Sequence, residues 1–247
     1  MSAPPVIFTD LDDTLFQTAR KCPTGSEGLA IMSTLVDGSA SGYATRSQQN
    51  FLSWIKTNRV IPVTARSTAV LSRVNISQAP AVTSNGGCII DNKSEVDLDW
   101  HRRLVNLASN TEAVKAVYLA LTRDLSENFR HWIVSESDLD LYVVVKSNVQ
   151  EDLILVDLAD QLEHRLPKGW RRHINGNNLA FLPPWLNKRD AVSYLMKHIR
   201  SQSPEAPIIG IGDSLSDVGF MDLCDFAMTP TQSQLWNSVT HESKWVK

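Results

Sequence analysis

The sequence predicts an α/β protein with a Rossmann-like parallel-sheet core and a smaller α+β domain inserted into it. Short apolar runs rich in Val and Ile alternate with helical patterns, as parallel strands and their connecting helices do. Each run ends at a polar or glycine-bearing corner, which is where α/β sheets carry functional residues. From about residue 91 to residue 184 this alternation stops, and paired strands follow helices instead. These observations together define the predicted fold class.

The core is predicted to contain five buried strands separated by helices. The strand patterns are "PVIFTD", "VIPVTA", "PAVTSN", "PIIGIGD" and "DFAMTP". The helical patterns are "SQQNFLSWIKTN", with Phe51, Leu52 and Ile55 on one face, then "TAVLSRV" and "RDAVSYLMKHIR". Because parallel strands end at one edge of their sheet, the corners that follow these strands are expected to form one site.

The inserted segment reads as helix, strand, strand, given twice. Its helices are "NTEAVKAVYLALTRDLSEN" and "QEDLILVDLADQLEHRL", and its strands are "RHWIVSES", "LDLYVVVKS", "GWRRHIN" and "NNLAFLP". Hairpin strands paired with helices favour a small open sheet covered on one face. We therefore assign residues 1–90 and 185–247 to the core, and residues 91–184 to an inserted cap domain.

Bulk composition narrows the function classes. A net charge of −3, without a long Lys/Arg run, argues against a nucleic-acid partner. The three cysteines are widely separated and odd in number, which favours neither a disulfide framework nor a Cys-x-x-Cys metal site. The N-terminus lacks the apolar run of a signal peptide, and there is no long apolar segment. We expect a cytoplasmic protein without a membrane partner, while the oligomeric state stays open.

Three acids follow the first predicted strand in "VIFTDLDDTLF", namely Asp10, Asp12 and Asp13. Acids after a strand often only stabilise the next turn. Adjacent carboxylates repel one another, however, unless a cation or a shared proton relieves the repulsion. Mg²⁺ prefers oxygen ligands and is commonly held by only one or two carboxylates together with substrate phosphate. The motif therefore indicates a magnesium site.

Asp10 and Asp12 belong to an ordered set of motifs that resembles the haloacid dehalogenase superfamily, whereas Asp13 occupies a variable position and is expected to have a structural or solvent-facing role. The first motif of this family is an apolar strand followed by Asp-x-Asp-x-Thr-Leu, and the matching residues here are Asp10, Asp12, Thr14 and Leu15. A strand ending in Thr or Ser, a Lys before a helix and an acidic pair after a buried strand complete the family pattern. Their matches in this chain are Thr64, Lys188, Asp213 and Asp217. Members with a cap between the second and third motifs, many of them sugar-phosphate phosphatases such as sucrose-phosphate and mannosylphosphoglycerate phosphatases, have similar helix-strand-strand repeats.

The resemblance implies a role for each motif residue. Asp10 would attack phosphorus to form an aspartyl-phosphate. Asp12 would protonate the leaving alcohol and then activate water. Thr64 and Lys188 would bind phosphoryl oxygens. The magnesium ligands would be the carboxylates of Asp10 and Asp213 and the backbone carbonyl of Asp12. Asp217 would serve the site indirectly, by holding a metal-bound water or Lys188. Taken singly, Thr64 and Lys188 are ordinary surface or strand-end residues more often than catalytic ones, and only the ordered set favours catalysis.

The cap carries candidate substrate residues in "RRHINGNNLAF", which is predicted to form a hairpin because Asn-Gly favours a tight turn. We expect its His173 and Asn178, with Arg66 and Asn85 from the core, to select a sugar phosphate. The alternative, that the hairpin residues only build the turn, is equally compatible with the sequence. Three tryptophans in or beside the cap could stack on a sugar ring or simply pack. They are Trp132, Trp170 and Trp185.

Two other functions remain possible at this stage. "GDSL" around Ser214 also occurs in a family of serine esterases, but the only downstream histidine is His241, with Ser238 where an orienting Asp is needed. The same core could also transfer phosphate to a second sugar, as a phosphotransferase or mutase. The favoured function is therefore a magnesium-dependent phosphomonoester hydrolase acting on a small phosphometabolite.

Overall fold

The computed structural model describes residues 3–24, 27–149 and 153–241. The chain forms two compact units, one of Met1–Asp97 with Lys188–Lys247 and the other of Leu98–Asn187. Within the part that the structure describes, no helix combines the length and apolar character needed to cross a membrane.

The described elements follow one another in chain order. The strands are β1 (Val6–Thr9), β2 (Ala30–Thr34), β3 (Ala40–Ala44), β4 (Arg59–Pro62), β5 (Ala81–Thr83), β6 (Cys88–Ile90), β7 (Phe129–Glu136), β8 (Leu139–Ser147), β9 (Arg171–Ile174), β10 (Leu179–Leu182), β11 (Ile208–Ile211) and β12 (Phe226–Met228). The helices are α1 (Arg46–Ile55), α2 (Thr68–Leu71), α3 (Leu98–Ala108), α4 (Val114–Thr122), α5 (Ile154–Leu162), α6 (Lys188–Gln202), α7 (Leu215–Met221) and α8 (Gln234–His241).

The first unit is built on a parallel sheet with the strand order β12-β11-β1-β4. A parallel bridge from Val63 to Val82 continues the sheet toward β5. Each predicted core strand is present, and the predicted fold class is confirmed. The expectation that all five strands are buried is wrong for β12, which is a largely exposed edge strand. Because the strands are parallel, the loops after β1, β4, β5 and β11 leave the same edge of the sheet.

The loop after β1 is fixed by three fully buried side chains, those of Leu11, Leu15 and Phe16. The backbone N–H of Leu15 donates to the carbonyl of Leu11 at 2.9 Å, which closes a tight turn. Asp13 lies in that turn with φ of 62°, a conformation that Asp tolerates better than most residues. Apolar residues within "DLDDTLF" therefore anchor the loop in the core, while its acids lie between these anchors in the sequence.

Two hairpins of the first unit were not expected from the sequence. β2 and β3 pair antiparallel with register shifts at Ser33, and β5 pairs antiparallel with β6. Gly42 of β3 lies so close to Phe16 that a Cβ there would meet the ring at 2.8 Å, so the position favours glycine. The sequence "ASGYA" hides this strand because Gly, Ser and Ala have weak strand propensity.

The second unit is an antiparallel sheet with the strand order β7-β8-β10-β9. One face of this sheet packs against helices. The hydroxyl oxygen of Tyr118 on α4 lies 2.9 Å from Nδ1 of His131 on β7, and Arg172 on β9 pairs with Asp160 of α5. The helix α3 was not predicted and precedes the expected repeat. The helix α4 covers only part of the predicted helical pattern over residues 110–128. Charged neighbours in "DWHRRLVN" masked the buried stripe of Trp100 and Leu104.

The second unit comprises Leu98–Asn187, so both of its ends fall after those of the expected cap, residues 91–184. The segment after β6 stays with the first unit because the N–H of Asp97 donates to the carbonyl of Ile89 at 2.9 Å. An isolated bridge joins Ile90 to Val96, and the Tyr194 hydroxyl of α6 donates to Asp97. Backbone pairing of this kind leaves no signature in an apolar pattern.

Candidate active site

A buried acidic cluster lies at the carboxyl edge of the core sheet. Asp10 follows β1, and its N–H donates to the carbonyl of Ile211 on β11 at 2.8 Å. Asp213 and Asp217 follow β11, and ligand oxygens of all three acids lie within 4.8 Å of one another. The three residues are at most 6% exposed. Adjacent parallel strands thus bring together acids that are about 200 residues apart in the sequence.

Lys188 bridges two of these acids. Its Nζ donates to Oδ1 of Asp10 at 2.7 Å and to Oδ1 of Asp217 at 2.7 Å. Burial disfavours the ammonium charge, but the two carboxylates outweigh this and raise the pKa of Lys188. Lys188 is the first residue of α6, so the helix start places the cation against the sheet edge.

Asp217 has both carboxylate oxygens engaged. Oδ1 accepts from Lys188, while Oδ2 accepts from the backbone N–H of Asp213 and Ser214 and from the Ser214 hydroxyl. A Cβ at Gly212 would lie 2.4 Å from Cβ of Asp217, so glycine is required for this close approach. Asp217 therefore orients Lys188 and the loop that carries Asp213.

Ser214 lies at the N-cap position of α7 and is 5% exposed. Its Oγ donates to Asp217 at 2.8 Å and lies 2.7 Å from Oγ of Ser216. A serine nucleophile needs an imidazole base within hydrogen-bond reach. In the described chain, the hydrogen bonds of Ser214 involve carboxylate and hydroxyl groups, which favours the helix-start role over the esterase role.

The remaining acidic oxygens converge on Thr14. Its Oγ1 lies 3.1 Å from Oδ2 of Asp10 and 3.3 Å from Oδ1 of Asp213. A hydroxyl has one proton and can donate to only one of these oxygens at a time. Burial and the charges of Asp217 and Asp13 raise the pKa of Asp213 to about 7. Burial, together with the charges of Asp217 and Asp213, also raises the pKa of Asp10 well above its usual range.

This donor set fits a divalent cation. Three buried carboxylates face one ammonium, so a divalent ion beside Asp10 and Asp213 would leave the cluster neutral. The available donors are hard carboxylate oxygens, which suit Mg²⁺ better than a soft metal. Burial and the neighbouring carboxylates raise the pKa values of Asp10 and Asp213, and a bound cation would oppose both effects.

The side chain of Asp12 lies apart from this cluster and is paired with Arg66. Nε of Arg66 donates to Oδ2 of Asp12 at 2.7 Å, and Nη2 donates to Oδ1 at 2.7 Å. The sequence offered Arg66 only as a substrate residue. The pairing could not be foreseen, because Asp12 and Arg66 follow different strands.

Thr64 and Asn85 lie together at the same edge. The Oγ1 of Thr64 accepts from the N–H of Arg66 at 3.1 Å, so its own proton remains available as a donor. The N–H of Asn85 donates to the carbonyl of Thr64 at 3.0 Å. Ser84, Asn85 and Gly86 all have positive φ, a run of left-handed backbone that is uncommon outside functional sites.

The cap residues are placed within the second unit. His173 lies on β9 opposite Ala180, and Asn178 follows the turn after β9. Strand register puts Trp132 in the same row as His173, through Val144 and Ala180, while Arg172 faces α5.

The tryptophans differ in exposure. Trp170 and Trp185 are buried, and Nε1 of Trp185 donates to Thr111 at 3.0 Å, so these two rings pack. Trp132 is 39% exposed. The core and cap residues named from the sequence therefore lie on two different units.

The fold was compared with known proteins. No model of a known protein family matches the chain, and no curated protein sequence matches it. Among solved structures, the sucrose-phosphatase of Synechocystis sp. PCC6803 in complex with sucrose and phosphate has a TM-score of 0.54 at 14% identity. That match covers 97% of this chain and 96% of the other. The chain has the fold of the haloacid dehalogenase-like phosphatases.

Two further structures share this fold. A putative HAD/COF-like hydrolase from Plasmodium vivax has a TM-score of 0.56 at 12% identity, with 96% of this chain and 88% of that chain covered. A trehalose-6-phosphate phosphatase related protein has a TM-score of 0.51 at 21% identity, with 91% and 84% covered. The matches span both units, so the similarity includes the inserted domain as well as the core.

Proposed function

We propose that the chain is a magnesium-dependent phosphomonoester hydrolase acting on a sugar phosphate through an aspartyl-phosphate. The observation that carries the proposal is the buried arrangement of Asp10, Lys188 and Asp213. A cluster of this kind, at the carboxyl edge of the sheet in a haloacid dehalogenase-like fold, is suited to bind and cleave a phosphate ester.

In the first step a carboxylate oxygen of Asp10 attacks phosphorus, and the bond from phosphorus to the substrate alcohol breaks. Asp12 gives its proton to the leaving alkoxide. In the second step Asp12 takes a proton from water, the water oxygen bonds to phosphorus, and the bond to Asp10 breaks. Lys188 and Thr64 donate to the phosphoryl oxygens as they gain charge.

The metal would be held by Asp10 and Asp213 through their carboxylates and by Asp12 through its backbone carbonyl. When bound, Mg²⁺ supplies positive charge to the phosphoryl group. We propose that Asp217 serves this site indirectly, because Lys188 and the loop of Asp213 already use its oxygens.

A sugar phosphate is the proposed substrate class for two reasons. Structures with this fold include a sucrose-phosphatase and a trehalose-6-phosphate phosphatase related protein. His173, Asn178 and Trp132 offer the cap an imidazole, an amide and an exposed ring, which are groups that read sugar hydroxyls and faces. A cytoplasmic location is proposed with it, supported by cysteines that are few, widely separated in the sequence and odd in number.

The test is a panel of sugar phosphates and one aryl phosphate, assayed for inorganic phosphate with Mg²⁺ and after exhaustive chelation. We expect phosphate release that depends on Mg²⁺ and is lost in Asp10→Asn. Full activity after chelation would refute the metal requirement. Product analysis in the presence of a second sugar separates hydrolysis from transfer, because a phosphotransferase or mutase would form a new phosphorylated sugar in place of free phosphate.

A further inference from the structure

The pairing of Arg66 with Asp12 has the geometry of a clamp. Two nitrogens of one guanidinium reach two oxygens of one carboxylate, each at 2.7 Å. Parallel bonds of this kind fix the plane of the carboxylate as well as its position. The side chain of Asp12 is 45% exposed, and Arg66 holds both of its oxygens.

Arg66 is itself firmly held. Its guanidinium carbon lies 5.4 Å from the centre of the buried Phe16 ring. Its N–H donates to Oγ1 of Thr64 at 3.1 Å, and its carbonyl accepts from the N–H of Ser84 at 2.8 Å. Only 17% of the Arg66 side chain is exposed. The cation is thus fixed to the loops after β4 and β5, and Asp12 is fixed to it.

We infer that Arg66 is a positioning residue that holds the Asp12 carboxylate ready to take the proton from water in the second half of the reaction. This inference rests on the proposed function. A carboxylate oxygen has two lone pairs, so an oxygen that accepts from Arg66 can still accept from water. Because both oxygens are held in one plane by the guanidinium, their free lone pairs keep a fixed direction in which water can donate.

A positioning role of Arg66 and a substrate-binding role affect different steps of the reaction. An aryl phosphate has a leaving group that departs without protonation, so its first step does not need Asp12 as an acid. The second step still needs Asp12 as a base. Loss of Arg66 should therefore slow breakdown of the aspartyl-phosphate, whereas loss of a substrate contact should raise KM and leave the phosphoenzyme fraction unchanged.

The experiment uses p-nitrophenyl phosphate with Mg²⁺ and measures the pre-steady-state burst of nitrophenol and the acid-stable phosphoenzyme by intact mass. We expect Arg66→Ala to lower kcat by about one to two orders of magnitude and to raise the phosphoenzyme fraction well above that of the wild type. Arg66→Lys should have a kcat and a phosphoenzyme fraction between those of the wild type and Arg66→Ala, because an ammonium keeps the charge but cannot form the bidentate pair.

A matched control is available in the same unit. Arg200 donates to both oxygens of Asp225 at 2.7 and 2.6 Å, and Asp225 precedes β12, at the opposite edge of the sheet. Arg200→Ala should lower the melting temperature without raising the phosphoenzyme fraction. An equal rise in Arg200→Ala would assign the effect to general destabilisation and overturn the inference.

Asp12→Asn separates this inference from the proposed function. If Asp12→Asn accumulates phosphoenzyme but the two Arg66 variants show the wild-type fraction with a raised KM, Arg66 contacts substrate and the inference is wrong. If no phosphoenzyme forms in the wild type or in Asp12→Asn, the aspartyl-phosphate mechanism itself is wrong.

Discussion

Lys188 is the residue on which the charge balance of the site depends. It is 7% exposed and pairs with two carboxylates that are also buried. A buried ion pair itself adds little to stability, but removing one partner is strongly destabilising because it leaves a buried charge without a counter-charge. The stability of the core therefore depends on this residue, to which we also assign a role in binding phosphate.

We predict that Lys188→Met destabilises the metal-free protein by about 3 kcal/mol or more, because Asp10 and Asp217 lose their cation. Urea unfolding measures this. The control is Lys21→Met, which removes the exposed pair with Asp13 and should cost about 1 kcal/mol or less. Similar losses in the two variants would contradict the buried charge network.

We propose that Asp213 links magnesium binding to pH. Its pKa is raised to about 7 in the metal-free protein, against an ordinary value near 3.9. Between about pH 4 and pH 7 the folded protein therefore holds a proton that the unfolded chain has lost, so this group makes stability fall as pH rises through that window. The pKa of Asp10 is shifted in the same direction.

Because a metal binds the carboxylate form, Mg²⁺ must displace these protons at low pH. We predict that a fixed concentration of Mg²⁺ raises the melting temperature more at pH 8 than at pH 5.5. Differential scanning fluorimetry measures this, and Asp213→Asn should lose most of the increase at both pH values. An increase as large at pH 5.5 as at pH 8 would contradict the role of Asp213.

At the scale of an element, α7 organises the loop after β11. Ser214 at its N-cap and Asp217 in its first turn exchange hydrogen bonds, as at other capped helix starts. Ser214 is also the serine of "GDSL", so this helix start has the sequence of an esterase nucleophile motif. Here the serine hydroxyl is directed at a carboxylate that orients Lys188.

Ser214→Ala should cost about 1 kcal/mol of stability, the usual value of an N-cap, and keep most of the phosphatase activity. Asp213→Asn should lose most activity through weakened metal binding. An aryl acetate assayed beside an aryl phosphate gives the contrasting outcome: acetate hydrolysis that disappears with Ser214, without phosphate hydrolysis, would restore the esterase.

The hairpin of β9 and β10 presents different side chains on its two faces. His173 lies in the row of the exposed Trp132, whereas Arg172 pairs with Asp160 and Glu163 on the helical side. Asn177, in the turn, bonds both backbone groups of Ser147 and has a structural role. This alternation supplies a control within the same strand.

We predict that replacing His173 and Asn178 by Ala lowers kcat/KM for the best sugar phosphate by roughly one to two orders of magnitude and spares an aryl phosphate. Arg172→Ala should affect both substrates little, because its pairs are on the exposed helical side. Equal losses on both substrates, or the same pattern in Arg172→Ala, would argue against recognition by this hairpin.

At the scale of the whole molecule, the parallel core could be predicted because its strands are continuous apolar runs that end in polar corners. "PVIFTD" and "PIIGIGD" are such runs, and their strands lie side by side as β1 and β11. Asp10 and Asp213 could be placed together for the same reason. Their order along the chain, with Lys188 between them, made the family resemblance specific.

Other features depend on contacts that have no local pattern. The hairpin of β2 and β3 carries Gly42 and small polar residues, and its packing on Phe16 decides its structure. The clamp of Arg66 on Asp12 and the shared hydroxyl of Thr14 arise only when separate loops meet. The left-handed run from Ser84 to Gly86 is likewise held by backbone bonds to Thr64 and Arg66.

The proposed function depends on covalent phosphorylation of Asp10. Acid quenching of Asp12→Asn during turnover of an aryl phosphate with Mg²⁺, followed by peptide mapping, measures this. We predict one phosphoryl group per chain on the peptide that contains Asp10, because Asp12→Asn cannot activate the water that removes it. Substrate turnover with no covalent phosphate, or with phosphate on another residue such as Ser214, would contradict it.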